Sequence, residues 1–320
     1  MKILVFGSGA VGLGLSTFLI KNYSDVTLIA RENVCNYIME HGLRRTGIFG
    51  ECFLAPSECK IYAHLNQLPA ITKRFDYVLV CTKSYDTFTA AKLLKSFPSL
   101  FDKKTVFILF QNGWGNGEVF AHFFSEQMIF NARIITGFYR VSINHVSITV
   151  HAADIHIGSL FQGNLASVKP LVDIIKSSGF PCSVTDVIEK DLWAKMLYNC
   201  ALNPLGALFH VPYGALAEEK YSRDIMNEII FEAFAVMNAS GFKTHWKSAE
   251  EYLSVFYDTL VPSTASHESS MLQDIKSHKQ TEIEGLNGAL LILGKKTSIP
   301  LPCNRLVYNM IKFIEQSYAS

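Results

Sequence analysis

The sequence has no excess of charge of either sign. Its 320 residues contain 29 Lys and Arg against 28 Asp and Glu, which leaves a formal net charge of +1. No block of like charges stands out along the chain, although nucleic-acid-binding segments and segments that bind anionic membranes usually carry one. The composition therefore argues against nucleic acid or a membrane surface as the main partner.

Regularly spaced cysteine and histidine pairs are also missing. The seven cysteines form no CxxC motif, and several lie in apolar stretches such as Val80-Cys81 and Cys200-Ala201. This usage is typical of reduced, buried thiols and argues against a disulfide framework or a zinc site. The ten histidines show no ligand-like pairing either. We therefore expect no metal, and we expect a cytoplasmic protein.

Long apolar runs are absent beyond the N-terminal region. No later stretch reaches about 18 apolar residues, so no membrane span is expected. Residues 1–20 combine Lys2 with an apolar stretch and could be mistaken for a signal peptide. Glycines at positions 7, 9, 12 and 14, and the lack of a small-residue cleavage site before Lys21, argue against one.

A glycine-rich motif stands at the very start of the chain. The apolar run over residues 3–6 predicts a buried strand, and helical spacing over residues 13–20 predicts a helix. Between them lies GxGxxG, in which one glycine permits the turn, one admits a pyrophosphate and one packs helix on strand. The motif predicts a dinucleotide site formed by Gly7, Ser8, Gly9, Ala10, Val11 and Gly12.

Three later strands are predicted to end in polar residues at the ligand-binding edge of a parallel sheet. Residues 25–31 end in Arg31, where an acid would take the ribose hydroxyl of NAD and an arginine suits the 2′-phosphate of NADP. Arg31 favours NADP(H), although it could be a solvated loop charge. Lys83 ends the next strand and is equally well read as a phosphate ligand or a solvated charge. Asn112 follows another strand. The Asn-Gly pair there either forms only a turn or brings Asn112 to face the nicotinamide.

The character of the chain changes near Asp186. Strand-like runs vanish beyond it, and long amphipathic segments take over until residue 317. The sequence therefore predicts an α/β N-terminal Rossmann-type domain with a mostly parallel sheet, followed by an all-α C-terminal domain. We assign residues 1–186 to NADP binding and residues 187–320 to substrate binding and catalysis.

One helix of the second half carries an unusual polar stripe. Lys195, Asn199 and Asn203 recur every four residues among apolar neighbours, so they share one face of a largely buried helix. Burying such groups without partners is costly, so the stripe is either a polar seam between helices or a wall of a binding site. In addition, Pro204 removes an N–H from this helix and frees the carbonyl of Cys200.

A second polar-rich segment is predicted as one helix over residues 269–284. Ser270 and Glu282 would be called surface residues from this segment alone. On a straight helix they would lie about 18 Å apart and about 120° apart in azimuth. Their spacing therefore does not place them in one site.

These motifs together resemble the ketopantoate reductase (2-dehydropantoate 2-reductase) family. The resemblance rests on GSGAVG at 7–12, Thr-Lys at 82–83, Gln-Asn-Gly at 111–113, LWAKMLYNCALNPL at 192–205, and SSMLQDI at 269–275 with Thr-Glu-Ile at 281–283. It implies NADPH-dependent reduction of 2-dehydropantoate to (R)-pantoate in pantothenate and coenzyme A biosynthesis. The implied partner is a small-molecule 2-keto acid, and a homodimer is compatible with the pattern.

The resemblance also implies roles for individual residues. Lys195 would protonate the carbonyl oxygen as hydride arrives, and Glu282 would lie at the catalytic centre close to the cofactor. Asn199, Asn203 and Ser270 would hold the hydroxyl and carboxylate of the substrate. Arg31 and Lys83 would face the 2′-phosphate, and Asn112 would lie beside the nicotinamide and substrate.

The sequence departs from the family pattern at one position and leaves alternatives open. His267 stands where the family has an asparagine that helps to bind substrate. An imidazole still donates a hydrogen bond but is bulkier and titrates near neutrality, so the 2-keto acid could differ. Two further alternatives are a β-hydroxyacid-type dehydrogenase and a non-catalytic NADP(H)-binding sensor. The missing glycine-rich motif before the lysine helix and the retention of all the site residues argue against them.

Overall fold

The structure, a computed structural model, describes residues 1–23, 25–69 and 74–318. The chain divides into two units, one formed by residues 1–111 and 116–188 and the other by residues 112–115 and 189–320. The short segment 112–115 thus belongs with the helical part of the chain. The assignment of cofactor binding to residues 1–186 and of catalysis to residues 187–320 stays a prediction.

A single sheet organises the first unit. Its strands are β1 (Ile3–Phe6), β2 (Val26–Ile29), β3 (Leu43–Gly47), β4 (Cys52–Leu54), β5 (Ile61–Tyr62), β6 (Tyr77–Val80), β7 (Val106–Leu109), β8 (Ile129–Ser142), β9 (His145–Gly158) and β10 (Cys182–Val184). Their order is β4-β3-β9-β8-β7-β6-β1-β2-β5, and β10 pairs with β9. Every pairing between the described strands is parallel except β3–β4 and β8–β9. The mostly parallel sheet predicted from the sequence is confirmed.

Apolar side chains cover both faces of this sheet. The accompanying helices are α1 (Ala10–Asn22), α2 (Glu32–His41), α3 (Thr87–Lys95), α4 (Asn116–Ala121) and α5 (Lys169–Ser177). In β1, Ile3 and Val5 share a core with α1, whereas Leu4 and Phe6 share a second core with α3. Successive strand residues point to opposite faces. A continuous apolar run is therefore what this central strand requires.

The second unit is built of helices. They are α6 (Ile188–Phe209), α7 (Tyr213–Glu218), α8 (Lys220–Ala239), α9 (Ala249–Val255), α10 (Ser270–Lys276), α11 (Asn287–Thr297) and α12 (Pro302–Gln316), with a π-helical turn at Phe256–Leu260. Strands are absent from the described part of this unit. The predicted architecture, a Rossmann-type half followed by an all-α half, is confirmed.

The prediction of a single helix over residues 269–284 is wrong. Helix α10 ends at Lys276, and His278 takes a left-handed φ of +48°. Further on, the Glu315 carboxylate accepts hydrogen bonds at 2.7 Å from both the N–H and the hydroxyl of Thr281. Because these bonds hold the chain after α10 against α12, the segment turns back instead of continuing straight.

All seven cysteines are free, and four of them are buried. Within residues 1–23, 25–69 and 74–318, no three His, Cys, Asp or Glu side chains are grouped so that they could hold a metal ion. No helix in the same ranges is long and apolar enough to cross a bilayer.

Candidate active site

The glycine-rich turn lies between β1 and α1, as predicted. Gly7 has a φ of +117°, a conformation that residues with a side chain rarely adopt. A Cβ on Gly12 would come within 2.0 Å of the Gly7 carbonyl oxygen, so the helix approaches the turn closely only with glycine there. Ser8 is buried, and its Oγ accepts a hydrogen bond from the Arg31 N–H at 3.3 Å.

The start of α1 fits the diphosphate of a dinucleotide. Gly9 is the N-cap, no side chain of the described residues caps the helix, and its first turn holds no acidic residue. A Cβ on Gly9 would meet only the Cys81 carbonyl oxygen, at 3.7 Å, so this backbone is open to a ligand. N–H groups and the helix dipole at such an end favour an anion.

Two basic residues follow the strands on either side of β1. Arg31 comes after β2 with an exposed side chain, and Lys83 comes after β6 and is half-buried. The Lys83 carbonyl oxygen accepts a hydrogen bond from Gln111 Nε2 at 3.2 Å. Since β2 and β6 both pair with β1 in parallel, the two cations belong to the same edge of the sheet as the glycine turn.

Helix α6, which carries the polar stripe, is anchored at its start. Glu189 and Asp191 occupy its first turn, where acidic groups complement the positive end of the helix dipole. The Asp191 carboxylate lies 2.8 Å from His245 Nε2. Trp193 is fully buried. The turn of helix that precedes Lys195 is therefore held in place from several sides.

Aromatic packing fixes the segment 112–115 beside this helix. The ring of Trp114 lies 4.9 Å from that of Trp193 and 4.7 Å from that of Phe242, measured between centroids. The backbone N–H of Trp114 donates a hydrogen bond to the Gly285 carbonyl at 2.9 Å. One short segment is thereby tied both to α6 and to the turn that follows Glu282.

Gly113 allows the closest of these approaches. Its φ is +88°, and a Cβ there would lie 2.3 Å from the Gly285 carbonyl oxygen. Neither the conformation nor the space suits another residue. Gly113 thus determines where its neighbour Asn112 is placed.

One amide links the lysine and the glutamate singled out from the sequence. Lys195 Nζ donates to Asn112 Oδ1 at 2.6 Å, and Asn112 Nδ2 donates to Glu282 Oε2 at 3.2 Å. An ammonium group only donates and an ionised carboxylate only accepts, so these two neighbours dictate how the amide is turned. Glu282 is 7% exposed. Three residues that are far apart in the sequence therefore form one connected group.

A narrow cavity, too tightly closed in this structure to hold a water molecule, adjoins this group. Amide, hydroxyl and carboxyl groups converge on it beside two apolar side chains, and convergent polar groups of this kind fix the orientation of small ligands. It is lined by Asn112, Asn203, Ser270, Met271, Asp274, Glu282 and Leu286. The cavity brings Ser270 and Glu282 together, which the straight-helix spacing did not predict.

Ser269 holds the start of α10 beside α6. Its Oγ donates to the Asn203 carbonyl at 3.3 Å and accepts from the Leu272 N–H at 3.0 Å. It therefore caps α10 and bonds to α6 at the same time. As a consequence Ser270, the first residue of α10, lies next to Asn203.

The side chain of Asn203 has a partner that the sequence did not single out. The Tyr213 hydroxyl donates to Asn203 Oδ1 at 2.6 Å, and both residues are buried. Burial, with a smaller effect of Tyr198, raises the pKa of Tyr213 well above its usual value. The hydroxyl therefore stays protonated and donates. The amide of Asn203 is held with its oxygen towards Tyr213 and its NH₂ group turned away.

Asn199 and His267 lie near the cavity without forming its described wall. Asn199 is 8% exposed and lies one helical turn before Asn203. The His267 ring packs edge-on to Tyr213 with centroids 5.5 Å apart. Burial lowers the pKa of His267, and Glu268 works against this shift. His267 thus contacts the residue that orients Asn203, and its predicted role in substrate binding stays a prediction.

The carbonyl freed by Pro204 is satisfied by a buried side chain. Asn287 Nδ2 donates to the Cys200 carbonyl at 3.1 Å and to Asn304 Oδ1 at 2.9 Å. Asn287 and Asn304 are both completely buried. These bonds tie the middle of α6 to α11 and α12, so the polar stripe rests on a fixed support.

Comparison with known proteins decides the family. The profile described as "Ketopantoate reductase PanE/ApbA" matches residues 3–162, and the profile of its C-terminal part matches residues 187–315. The 2-dehydropantoate 2-reductase of Aquifex aeolicus is 38% identical over 314 residues, which cover 98% of this chain and 96% of that protein. The chain belongs to the ketopantoate reductase family.

Solved structures agree with this result. The PanE/ApbA family ketopantoate reductase from Ralstonia eutropha is 27% identical, with a TM-score of 0.84 over 100% of both chains. A D-mandelate dehydrogenase solved with NADH and anilino(oxo)acetate has a TM-score of 0.87 over 100% of both chains, but at 22% identity it shows the fold alone. The family predicted from the sequence is confirmed, and the protein is an oxidoreductase.

The structure of this ketopantoate reductase family member also shows residues that the sequence analysis missed. Tyr213 orients Asn203, and Asn287 donates a hydrogen bond to the Cys200 carbonyl of the helix that carries the polar stripe. A tyrosine at the start of a short helix carries no signal of its own in a single sequence. A proline inside a helix predicts a carbonyl without its helical partner, but it does not identify the donor that will bond to that carbonyl.

Proposed function

We propose that this protein catalyses the NADPH-dependent reduction of 2-dehydropantoate to (R)-pantoate, a step in pantothenate and coenzyme A biosynthesis. The observation that carries the proposal is the connected group of Lys195, Asn112 and Glu282 beside a small polar cavity. The Aquifex aeolicus relative, named a 2-dehydropantoate 2-reductase, supports the choice of substrate.

Lys195 is the general acid in this proposal. Bound NADPH supplies a hydride to the carbonyl carbon, and the electron pair of the C=O π bond moves to oxygen. The Lys195 ammonium group, which donates to Asn112 Oδ1 at 2.6 Å, stabilises the developing alkoxide and passes it a proton. Stabilisation of that charge and proton transfer by one positioned cation are both established sources of catalysis.

Glu282 and Asn112 keep Lys195 in position. The Glu282 carboxylate accepts from Asn112 Nδ2 at 3.2 Å, which leaves the amide oxygen towards the lysine. Holding the donor before substrate arrives reduces the entropy lost at the transition state. This role also places Asn112 and Glu282 beside the reacting centre and close to the nicotinamide.

The remaining polar groups hold the substrate. Asn203 and Ser270 face the cavity and supply neutral donors for a hydroxyl and a carboxylate, without neutralising the charge of Lys195. Asn199 extends the same stripe of α6, and His267 acts behind Tyr213. The substrate is thus a small polyfunctional 2-keto acid.

The cofactor is NADP(H) in this proposal. The backbone of residues 7–12 holds the diphosphate at the start of α1, where no side chain of the described residues caps the helix. Arg31 and Lys83 flank the turn and supply positive charge for the 2′-phosphate. The free cysteines favour a reducing compartment, and we therefore place the protein in the cytoplasm.

Replacing Tyr213 by phenylalanine is expected to weaken substrate binding. The change removes the donor to Asn203 Oδ1 and leaves a buried acceptor unpaired, which costs about 1–3 kcal/mol. The amide of Asn203 is then free to flip towards the cavity. We expect KM for 2-dehydropantoate to rise about tenfold, with a smaller change in kcat. Tyr198→Phe is the control, because its hydroxyl bonds Thr264 instead; equal effects of both changes on KM would contradict this role.

Initial rates with a panel of 2-keto acids test the proposed reaction. We expect the highest kcat/KM with 2-dehydropantoate and NADPH. A higher kcat/KM with another acid would keep the mechanism and overturn the substrate, whereas NADPH binding without turnover of any acid would favour a sensor. Comparison of NADPH with NADH in the same assay tests the cofactor assignment separately.

A further inference from the structure

Arg140, near the end of β8, is bonded to the glycine-rich turn. Its Nη1 donates to the Ser8 carbonyl oxygen at 2.7 Å. Its Nη2 donates to the Ile143 carbonyl at 2.6 Å, and its Nε donates to the Ser142 carbonyl at 3.2 Å. The guanidinium group is therefore fixed in position and orientation, with Ser8 on one side and its own hairpin on the other.

The hairpin reaches the turn because β8 passes over the start of α1. A Cβ on Gly14 would lie 2.5 Å from the ring of Phe138, so helix and strand are in direct contact there. Phe138 and Arg140 are two residues apart on a strand and share one face. The contact at Gly14 thus brings the next residue on that face to the glycine-rich turn.

Arg31 and Arg140 both form a hydrogen bond with Ser8. The backbone N–H of Arg31 donates to Ser8 Oγ at 3.3 Å, while Arg140 binds the carbonyl of Ser8. Burial lowers the pKa of Arg140, and the nearby positive charge of Arg31 lowers it further. Burial raises the pKa of Asp86, and the positive charge of Arg31 works against this shift. Two arginines therefore flank Ser8, and their mutual repulsion is relieved when an anion lies beside them.

We propose that Arg140 is a cofactor-specificity residue that, together with Arg31, draws the 2′-phosphate of NADP(H) to the Ser8 side of the glycine turn. This inference rests on the proposed function and deepens its cofactor assignment. Arg140 acts through its charge, which the bonds to three carbonyls fix beside Ser8. It lies outside the group formed by Lys195, Asn112 and Glu282 and takes no part in the chemical step.

Equilibrium binding of two nucleotide fragments tests this role. Adenosine 2′,5′-bisphosphate and adenosine 5′-monophosphate differ only in the 2′-phosphate, and calorimetric titration gives their Kd values without turnover. For Arg140→Gln we expect the bisphosphate to bind about tenfold more weakly, as for the loss of one charged interaction. The monophosphate should change less than twofold. NADPH and NADH should show the same contrast.

Two further variants separate charge from structure. Arg140→Lys keeps the charge but loses the fork that holds three carbonyls, and it should retain most of the preference for the bisphosphate. Arg44→Gln removes an exposed arginine of β3 that pairs with Glu51, and it controls for net charge. It should leave both Kd values unchanged.

The outcomes distinguish this inference from the proposed function. Equal weakening of both nucleotides by Arg140→Gln would mean that Arg140 only holds the turn, and no weakening would mean that its charge is not felt; either result overturns the inference. A wild-type protein that binds both nucleotides equally would overturn the NADP(H) assignment and this inference together. Failure to reduce 2-dehydropantoate, with the 2′-phosphate preference intact, would overturn the substrate alone.

Discussion

Replacing Lys195 by alanine is expected to lower kcat by about a hundredfold or more. The variant loses both the cation that stabilises the alkoxide and the proton that completes the reaction. Asn112 and Glu282 remain in place but offer no ammonium group. The Kd of NADPH should change little, because the groups assigned to the cofactor belong to the glycine turn and its neighbours. Steady-state kinetics and a fluorescence titration of NADPH measure the two quantities.

Lys190→Ala is the matched control for this change. Lys190 lies on the same helix, five residues earlier, and is outside the bonded group and the cavity wall of the described residues. It should keep near-normal kcat. Near-normal turnover in Lys195→Ala as well would remove Lys195 from the mechanism.

Replacing Gly113 by alanine is expected to damage stability and activity together. An alanine at a φ of +88° is strained, at a cost of roughly 1–3 kcal/mol. Its Cβ would also lie 2.3 Å from the Gly285 carbonyl oxygen, so one of the two backbones has to move. Because Asn112 is the next residue, the contact with Lys195 loosens. We expect a lower Tm and a kcat reduced by on the order of tenfold or more.

Gly115→Ala separates backbone strain from the clash. Gly115 also has a positive φ, +95°, but a Cβ there would meet nothing within 4 Å. This variant should lose some stability and keep most of its kcat. If Gly113→Ala and Gly115→Ala behaved alike in both Tm and kcat, the close approach of Gly113 to Gly285 would have no part in placing Asn112.

The dinucleotide-binding half of the fold could be predicted because its signals are local. The apolar run over residues 3–6, the glycines and the helix that follows lie within some twenty consecutive residues, and each is needed for the same turn. Gly12 has to be glycine because of a contact with Gly7 within that turn, and Gly7 has the positive φ that the turn requires. When neighbouring residues all favour the same local structure in this way, that structure can be predicted from the sequence.

The active site could be predicted only in part because its geometry depends on distant contacts. Spacing predicted that Lys195 and Asn203 share a helix face, and this is confirmed by the continuous helix α6. Spacing also separated Ser270 from Glu282, since nothing between them signals that Glu315 will bind Thr281 and turn the chain back. The bond from Tyr213 to Asn203 is a tertiary contact of the same kind.

The placement of Asn112 shows a further limit. From the sequence it follows a strand of the first unit, where Asn-Gly predicts either a simple turn or a residue that faces the nicotinamide, and the family resemblance implies the second. In the structure the Trp114 ring packs on Trp193 of α6, and the backbone N–H of Trp114 bonds to the Gly285 carbonyl. The link from Asn112 to both Lys195 and Glu282 follows from that packing and has no signature in residue spacing.

The most direct test of the central claim is product analysis with the purified wild-type protein. 2-Dehydropantoate and NADPH are incubated with the protein, NADPH is followed by its near-ultraviolet absorbance, and pantoate is quantified by mass spectrometry. The proposed function predicts one pantoate formed for each NADPH oxidised. Binding of NADPH with no formation of pantoate would contradict it.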